Sequence, residues 1–457
     1  MEVTSKSEIK DTGREQWGSR LGFILASVGG AIGLGNVWKF PYTVGKYGGA
    51  AFLVVYLIAL FVIGVPILIT EFAIGRKTKL NYTGALKELL PGKKWYLFGI
   101  VGVVVLVIVL SFYFGVAGWT LAYFFKSLSG AYAGASPAQV GGQFGAFLNS
   151  PMELFFWQFA MVLLTGMIVI KGVKGGIEKV SKILLPLLFL MIIGLGIKSI
   201  TLNGASAGLD FYLNPDFSKL TSEGVLSAIG QAFFTLGVGA GNLVIYGSYL
   251  DRKNTIGGST VMVSLGDTLA AILMGFIIFP AVFAFNIEPA MGPPLAFITL
   301  PTIFSQMKFG MIFATVFFLA LFFACLTSTI CLLEAVVGYV VDEWKWERRM
   351  AVLKISIFIF VLGLFQMMSF GPWADFKIFG RTIFEFSDFL VTNILLPGGG
   401  LFIAILAGYI LNTSDLVKEI NIGKGIKIDK YYTITVKYVA PLLIGIVYLQ
   451  LLGIIKI

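Results

Sequence analysis

The chain contains no histidine and only two cysteines among its 457 residues. The lack of histidine excludes an imidazole general base and any His-ligated metal site. The cysteines, Cys325 and Cys331, lie six residues apart in one apolar run. At about 100° per residue they point to different faces of a helix, so we expect two small buried thiols and no disulfide. Since no nucleophile–base pair is recognisable either, the sequence argues against an enzyme.

Charged residues are also scarce, at 13% of the chain, whereas hydrophobic residues make up 57% and phenylalanine alone contributes 42 positions. Soluble domains usually carry about 25% charged residues. The deficit predicts a protein whose outer surface faces lipid. The first twenty residues are polar and of mixed charge, which does not match the apolar core and cleavage site of a signal peptide.

Long apolar runs recur along the chain. A membrane-spanning helix needs roughly 20 mostly apolar residues. Two of the runs, 96–125 and 309–341, exceed this length and would tilt or project into water. The sequence therefore predicts an all-α polytopic membrane protein with about eleven spans: 21–45, 50–74, 96–125, 152–170, 181–202, 225–247, 261–285, 309–341, 351–370, 382–411 and 433–455.

The basic residues indicate an orientation for these spans. The formal net charge is +10, which would suit nucleic acid if the charges were clustered on one soluble face. Instead, most Lys and Arg residues fall in the N-terminal segment and in alternate connections between spans. By the positive-inside rule, we expect a cytoplasmic N-terminus, an extracellular C-terminus and no nucleic-acid partner.

Two spans carry matching glycine clusters. Residues 29–36 read GGAIGLGN and residues 235–242 read TLGVGAGN. Each glycine costs roughly 1 kcal/mol against alanine inside a helix, so both helices should unwind at mid-membrane. The freed backbone groups would have to line a buried or watery cavity. The alternative is that the glycines simply allow close helix packing.

Paired broken helices in two halves of a chain indicate a transporter with an inverted repeat. We therefore expect one transporter domain over 1–457. Its first repeat would cover 17–202, its second repeat 225–411, and 433–455 would be an additional helix. Freed carbonyls are ligands for a cation, and freed N–H groups at a half-helix start suit a carboxylate. Sodium and an amino-acid zwitterion match both requirements.

Polar residues inside the spans extend this hypothesis. Ala324, Thr327 and Ser328 share one helix face and can present oxygens to a cation, although such hydroxyls often only bond their own i−4 carbonyl. Asp267 lies within the seventh span with no Lys or Arg nearby in that span. A buried carboxylate needs a partner, and a cation would provide it. For Glu334, a structural and a functional role both remain open.

Four segments resemble the neurotransmitter:sodium symporter family: REQW at 14–17, GGAIGLGNVWKFP at 29–41, QAFFT at 231–235 and ACLTS at 324–328. The resemblance covers nearly the whole chain, and the count of eleven spans is similar to that of a bacterial subgroup of amino-acid importers. It implies sodium-coupled symport of an amino acid across a bacterial-type cytoplasmic membrane.

The resemblance also implies site residues. The first sodium would be held by Ala31, Asn36, Thr235 and Asp267, and the second by Gly29, Ile32, Ala324, Thr327 and Ser328. The substrate would contact Ala31, Leu34, Gly35, Val109, Tyr113, Phe234, Thr235, Gly237, Ala240, Ser328 and Leu332. An outer gate would pair Lys39 with Asp388, and an inner gate would pair Arg14 with Asp342 near Trp17 and Tyr249.

Departures from the family pattern refine these expectations. Asp267 stands where many members have Asn; chloride-dependent members bind an anion near the positions of Tyr56, Gln231 and Thr235, so a fixed carboxylate predicts chloride-independent transport. Lys39 replaces an Arg at the outer gate and loses bidentate pairing. The small Gly237 and Ala240 favour a hydrophobic or aromatic side chain.

A further departure concerns the substrate's charged groups. Gly33 stands where the family's monoamine transporters carry an Asp, which favours an amino acid over an amine. A non-transporting amino-acid sensor, a monoamine transporter and a channel remain as alternatives, and the sequence does not indicate an oligomeric state.

Overall fold

The computed structural model describes residues 14–287 and 294–455, and the elements named here lie within those ranges. Nine continuous helices are long and apolar enough to cross a membrane, and one further pair of helices is bent by 58° at a short break. A second interrupted helix lies where the sequence predicts the sixth span. These helices are α1 (Arg20–Ala31 and Gly35–Lys46), α2 (Ala50–Thr78), α3 (Tyr96–Leu128), α4 (Pro151–Val169), α5 (Val173–Ile200), α6 (Ser222–Thr235 and Asn242–Ser248), α7 (Ile256–Ala284), α8 (Gly310–Trp344), α9 (Arg348–Met368), α10 (Ile383–Ile410) and α11 (Lys430–Leu451).

The fifth span begins earlier than the sequence predicts. We expected it to start at 181, but α5 begins at Val173. The polar stretch at its start reads as a loop, yet the structure gives its Glu178 several partners. Glu178 accepts hydrogen bonds from the Gly18 N–H at 2.6 Å and the Ser19 hydroxyl at 2.9 Å. It also pairs with Lys182 at 2.6 Å. Residues that directly precede α1 therefore supply hydrogen-bond donors for the buried carboxylate at the polar start of α5.

Short helices between the spans were not predicted. They are Tyr82–Leu89, Pro137–Leu148, Ala205–Leu213, Leu295–Gln306 and Thr413–Ile420. Several begin at side-chain caps: Asn81 accepts from the Thr83 and Gly84 N–H groups, and Ser136 forms a capping box with Gln139. These segments are too short or too polar to give a spanning signal, so the sequence did not distinguish them from loops.

The first break follows Ala31, where the chain leaves helical geometry at Ile32 (φ −67°, ψ 119°). The Asn36 side-chain oxygen accepts from the freed Gly33 N–H at 3.0 Å. Asn36 is 1% exposed, so bulk water does not reach its side-chain amide. The asparagine at the end of the glycine cluster thus replaces a lost helical hydrogen bond.

The second break spans residues 236–241, between the halves of α6. Gly237, Gly239 and Gly241 have φ values of 62°, 107° and 74°. Residues other than glycine rarely adopt positive φ values, which explains why every second residue of this break is a glycine. The prediction that helices one and six are discontinuous is confirmed.

Glu71 of α2 holds this second break in place. Its carboxylate accepts hydrogen bonds from the Gly239 N–H at 2.8 Å and the Leu243 N–H at 3.2 Å. Glu71 is fully buried. A negative group near the start of a helix is also favoured by the helix dipole. Glu71 is not among the residues predicted from the sequence, because a lone acid within an apolar span does not reveal which backbone groups it contacts.

Replacing Glu71 by Ala should therefore lower the melting temperature of the detergent-solubilised protein. Each buried N–H left without a partner costs about 1–3 kcal/mol, and this change removes the acceptor of two such groups. Glu71→Gln keeps one acceptor oxygen and should give a smaller decrease. Equal melting temperatures for Glu71→Ala and the unsubstituted protein would contradict this role.

Candidate functional site

A cavity of about 410 Å³ lies between the two helix breaks. This volume falls within the range of roughly 300–1,000 Å³ that is usual for small-molecule sites. The structure brings all eleven predicted substrate contacts to its wall, although they come from four different helices or their breaks. These are Ala31, Leu34, Gly35, Val109, Tyr113, Phe234, Thr235, Gly237, Ala240, Ser328 and Leu332.

Backbone donors at the first break face this cavity. Leu34 and Gly35 lie where the second half of α1 begins. The Leu34 N–H donates to the Tyr113 hydroxyl at 3.3 Å. The start of a half-helix presents free N–H groups and a positive dipole end. These groups together can hold a carboxylate.

Asp267 of α7 lies beside the cavity and is fully buried. Its two oxygens accept from the Asn36 side-chain amide at 2.9 Å and the Thr235 hydroxyl at 2.8 Å. Both donors are neutral, and none of the ion pairs found in 14–287 and 294–455 involves Asp267. An ionised carboxylate inside a membrane calls for a compensating charge. Carboxylate, amide and hydroxyl oxygens, such as those of Asp267, Asn36 and Thr235, are ligands that a hard cation prefers.

A second group of oxygens lies where α8 meets the first break. The Ser328 hydroxyl is 2.6 Å from the Ile32 carbonyl oxygen, 3.3 Å from that of Gly29 and 3.1 Å from that of Ala324. The neighbouring Thr327 hydroxyl is 3.0 Å from the Ala324 carbonyl oxygen. All five residues predicted for the second sodium therefore meet at one point.

The alternative for these two hydroxyls is that each bonds only the carbonyl four residues earlier in its own helix. Thr327 does bond its i−4 carbonyl, that of Phe323, at 3.0 Å. Ser328, however, reaches across to the carbonyls of α1 as well as to its own helix. Self-bonding within α8 accounts for only part of the arrangement, and the contact between helices is what brings the oxygens together.

An ion-pair network lies at the far end of the second half of α6, which starts at the cavity-lining Asn242, and we call this side of the cavity the Arg14 end. Arg14 donates to both Asp342 oxygens at 2.9 Å and to the Ser248 hydroxyl at 2.8 Å. Its guanidinium lies 5.0 Å from the centre of the Tyr249 ring. The backbone N–H of Trp17 donates to the Tyr249 carbonyl at 3.2 Å. The four residues predicted for an inner gate thus contact one another.

Glu334 belongs to the same end. Its carboxylate accepts from the Tyr249 hydroxyl at 2.6 Å and pairs with Arg348 at 2.5 Å. Arg348 also donates to the Val169 carbonyl at 2.7 Å. Between the two roles left open for Glu334, these contacts favour a structural one, since it ties α6 and α8 to α4 and α9.

The opposite end of the cavity, which we call the Lys39 end, is arranged differently. Lys39 and Asp388 both line the cavity, but they form no ion pair in the described part of the chain. The Lys39 ammonium lies 3.8 Å from the centre of the Phe234 ring. Asp388 accepts instead from the Thr392 hydroxyl at 3.2 Å. Within the described residues, the predicted Arg14–Asp342 pair is formed, whereas the predicted Lys39–Asp388 pair is not.

The cavity wall includes residues for which the sequence predicted no role. Most of them lie on apolar faces of α3 and α10, which carry no signal of their own. Asn242 did carry one, because it ends the second glycine cluster as Asn36 ends the first. The additional residues include Trp38, Leu106, Phe112, Val116, Asn242, Phe384, Val391, Thr392 and Leu396.

Known proteins resemble this chain over almost its full length. A sequence model of the Sodium:neurotransmitter symporter family matches residues 14–138 and 148–456. An uncharacterized sodium-dependent transporter of Bacillus subtilis is 39% identical over 443 residues, covering 96% of this chain and 98% of the relative. A similarly described transporter of Haemophilus influenzae is 34% identical over 448 residues, again covering 96% and 98%.

A solved structure shares the fold as well as the sequence. The crystal structure of MhsT in complex with L-phenylalanine superposes with a TM-score of 0.88 at 42% identity, covering 96% of this chain and 100% of that chain. The family match, the relatives and the shared fold lead to one conclusion. The chain belongs to the sodium:neurotransmitter symporter family, as a multi-pass membrane protein that is a sodium-dependent symporter and not an enzyme.

Proposed function

We propose that the protein imports a hydrophobic or aromatic L-amino acid together with sodium. The observation that carries this proposal is the cavity between the two breaks, because its wall includes the backbone of both breaks together with Asn36 and Thr235, which bond the uncompensated Asp267. A zwitterion and a cation satisfy backbone N–H groups, backbone carbonyls and the carboxylate at once. A neutral or purely cationic substrate would leave the N–H groups without an anion.

The amino-acid backbone would bind across the two breaks. Its carboxylate would accept from the Leu34 and Gly35 N–H groups and from the Tyr113 hydroxyl. Its ammonium would donate to freed carbonyls, and Tyr113 and Phe234 would cover it towards the Lys39 end. The ammonium acceptors would be the carbonyls of Ala31, Phe234, Thr235 and Gly237.

The side-chain part of the cavity favours a large apolar group. Gly237 and Ala240 are the small residues of its wall, and a Cβ atom at Gly237 would meet nothing within 4 Å. Aromatic side chains bury more apolar area than leucine does. MhsT, which shares this fold, has been crystallised with phenylalanine. Val109, Phe234, Ser328 and Leu332 would complete the pocket.

The residue at position 33 supports an amino acid over a monoamine. An added Cβ at Gly33 would lie 3.1 Å from the Ser328 hydroxyl and even nearer the Tyr113 hydroxyl. A carboxylate at this position would occupy the space that the substrate's own carboxylate needs. With glycine there, the substrate has to supply the negative charge itself.

Two sodium ions would bind beside the substrate, one at Asp267, Asn36, Thr235 and Ala31, the other where Ser328 and Thr327 face α1. The substrate's carboxylate would complete the first sodium shell. Since each ligand then stabilises the other, their binding is coupled, and the coupling free energy is the same in both directions. Because of this coupling, sodium moving down its gradient would drive uptake of the amino acid.

Transport would proceed by alternating access in a bacterial-type cytoplasmic membrane. We propose that the Lys39 end faces outwards and the Arg14 end faces the cytoplasm, with the N-terminus inside and the C-terminus outside. The closed Arg14–Asp342 contact and the unpaired Lys39 and Asp388 are what an outward-facing state requires. The breaks in α1 and α6 would lie at equivalent places in repeats 17–202 and 225–411.

Sodium-gradient uptake into proteoliposomes tests this proposal directly. We expect labelled phenylalanine, tyrosine, tryptophan or leucine to accumulate only with sodium outside, and excess dopamine to compete poorly. An amino-acid sensor would bind the same ligands in detergent without accumulating them, and a channel would show no saturation. Either of those results, or a preference for dopamine, would overturn the proposal.

Removing one hydroxyl should separate sodium binding from substrate choice. Thr327→Ala is expected to raise the sodium concentration for half-maximal uptake severalfold, because a cation would lose one oxygen ligand. The ranking of amino acids as competitors should not change. Thr315→Ala is a matched control, since Thr315 lies on the same helix and bonds only its own Met311 carbonyl at 2.8 Å. An unchanged sodium titration for Thr327→Ala would refute this second site.

Chloride should be unnecessary because Asp267 already supplies a fixed negative charge. Near it, the Tyr56 hydroxyl and both polar atoms of the Gln231 amide are buried and have no partner in the described part of the chain. Uptake should therefore be the same in chloride and in gluconate, whereas Asp267→Asn should reduce uptake and make the remainder chloride-dependent. A clear loss of uptake by the unsubstituted protein in gluconate would contradict this prediction.

A further inference from the structure

Asn242 is the first residue of the second half of α6 and lines the cavity while being only 3% exposed. Its side-chain oxygen has no hydrogen-bond partner among residues 14–287 and 294–455. Its side-chain nitrogen contacts only the Cys331 sulfur, at 4.0 Å, and a thiol is a weak partner. Asn242 does not cap the helix that it begins. Local structure therefore gives no reason for a buried amide here.

The other buried polar groups of the cavity wall are already satisfied. Asn36 and Thr235 bond Asp267, and Ser328 bonds the Ile32 carbonyl. Among the cavity-lining residues, all of which lie in the described part of the chain, Asn242 is the one with a fully buried and unpaired side-chain atom. An unsatisfied buried polar group is unfavourable, so a ligand that pairs with it binds more tightly.

The position of Asn242 in the cavity indicates which part of a ligand it would meet. Gly30 lies against Cys331, since a Cβ at Gly30 would be 2.7 Å from the Cys331 sulfur. Gly30, Cys331 and Asn242 are therefore grouped together. Gly30 precedes the break of α1, and α6 runs from Asn242 to Ser248, which bonds Arg14. This group consequently lies towards the Arg14 end, beyond the N–H groups of Leu34 and Gly35.

The cavity that holds both the carboxylate donors and Asn242 has a largely apolar wall. Leu106, Val109, Ala240 and Leu332 contribute to this wall. A substrate anchored by its carboxylate would direct its side chain along these residues. The distal end of that side chain would then meet the Asn242 amide. Such a pocket fits a group that is flat and apolar along its length and polar at its tip.

We propose that Asn242 determines specificity by accepting a hydrogen bond from an N–H or O–H group on the substrate's aromatic ring. The substrate class is thereby narrowed to aromatic amino acids with a ring donor, namely tryptophan and tyrosine, over phenylalanine. This inference rests on the proposed function. A site that pairs with a substrate N–H or O–H discriminates strongly against the analogue that lacks it, because the protein's polar group is then left unpaired.

The test compares ligands that differ only in the donor. One pair is tyrosine and phenylalanine; the other is tryptophan and its analogue in which sulfur replaces the indole N–H. Each would compete with a labelled amino acid for sodium-dependent binding and uptake. We expect the donor-bearing member of each pair to bind at least about tenfold more tightly, since roughly 1.4 kcal/mol corresponds to tenfold in affinity.

Two substitutions then assign the effect to Asn242. Asn242→Leu keeps similar bulk without the amide, and Asn242→Ala leaves additional space. Both should reduce the preference within each pair to less than about threefold, mainly by weakening tyrosine and tryptophan. Retained binding of phenylalanine, with its sodium dependence, is the internal control for folding.

The outcomes separate this inference from the proposed function. If no amino acid binds with sodium, the proposed function fails. If amino acids bind but the unsubstituted protein does not distinguish the members of each pair, the inference about Asn242 is wrong. It is also wrong if both variants keep the full preference, since the amide would then pair with a water molecule or with the protein in the bound state.

Discussion

A peptide group inside a bilayer has no water to bond, so every N–H and C=O that leaves a helix needs a partner within the protein. The arrangement of this molecule depends on that constraint. Asn36 supplies the missing acceptor at the break of α1, and Glu71 supplies two bonds at the break of α6. These two side chains allow short unwound segments to persist within the membrane.

The same constraint connects the fold to the chemistry of the site. Backbone groups that are left open at the breaks are polar, fixed in direction and screened from lipid. Together with Asp267 and the hydroxyls of α8 they form an oxygen-rich region beside a set of N–H donors. A cavity of this kind favours ligands that bring both charges, as the proposed pair of sodium and an amino acid does.

Elements with a long sequence signal were predicted, and elements with a short or weak signal were missed. The nine continuous apolar helices and the two interrupted ones of the described residues lie where the sequence predicts spans, because some 20 apolar residues are hard to mistake. The polar start of α5 and the short helices between spans were missed, since their stability comes from contacts such as that of Glu178 with Gly18 and Ser19. At the site, the glycine clusters and the i, i+3, i+4 spacing of Ala324, Thr327 and Ser328 were visible, but Glu71 was not.

The sequence by itself determined where the chain enters lipid, which two helices break and which oxygens and amides become available. These properties are local, because composition over a few residues sets the free energy of burial and of helix formation. The tertiary structure alone decided which groups meet: Ser328 with Ile32, Glu71 with Gly239, and Arg14 with Asp342, while Asn242 was left without a partner. Distances between atoms on different helices depend on how those helices pack, and no short stretch of sequence specifies that packing.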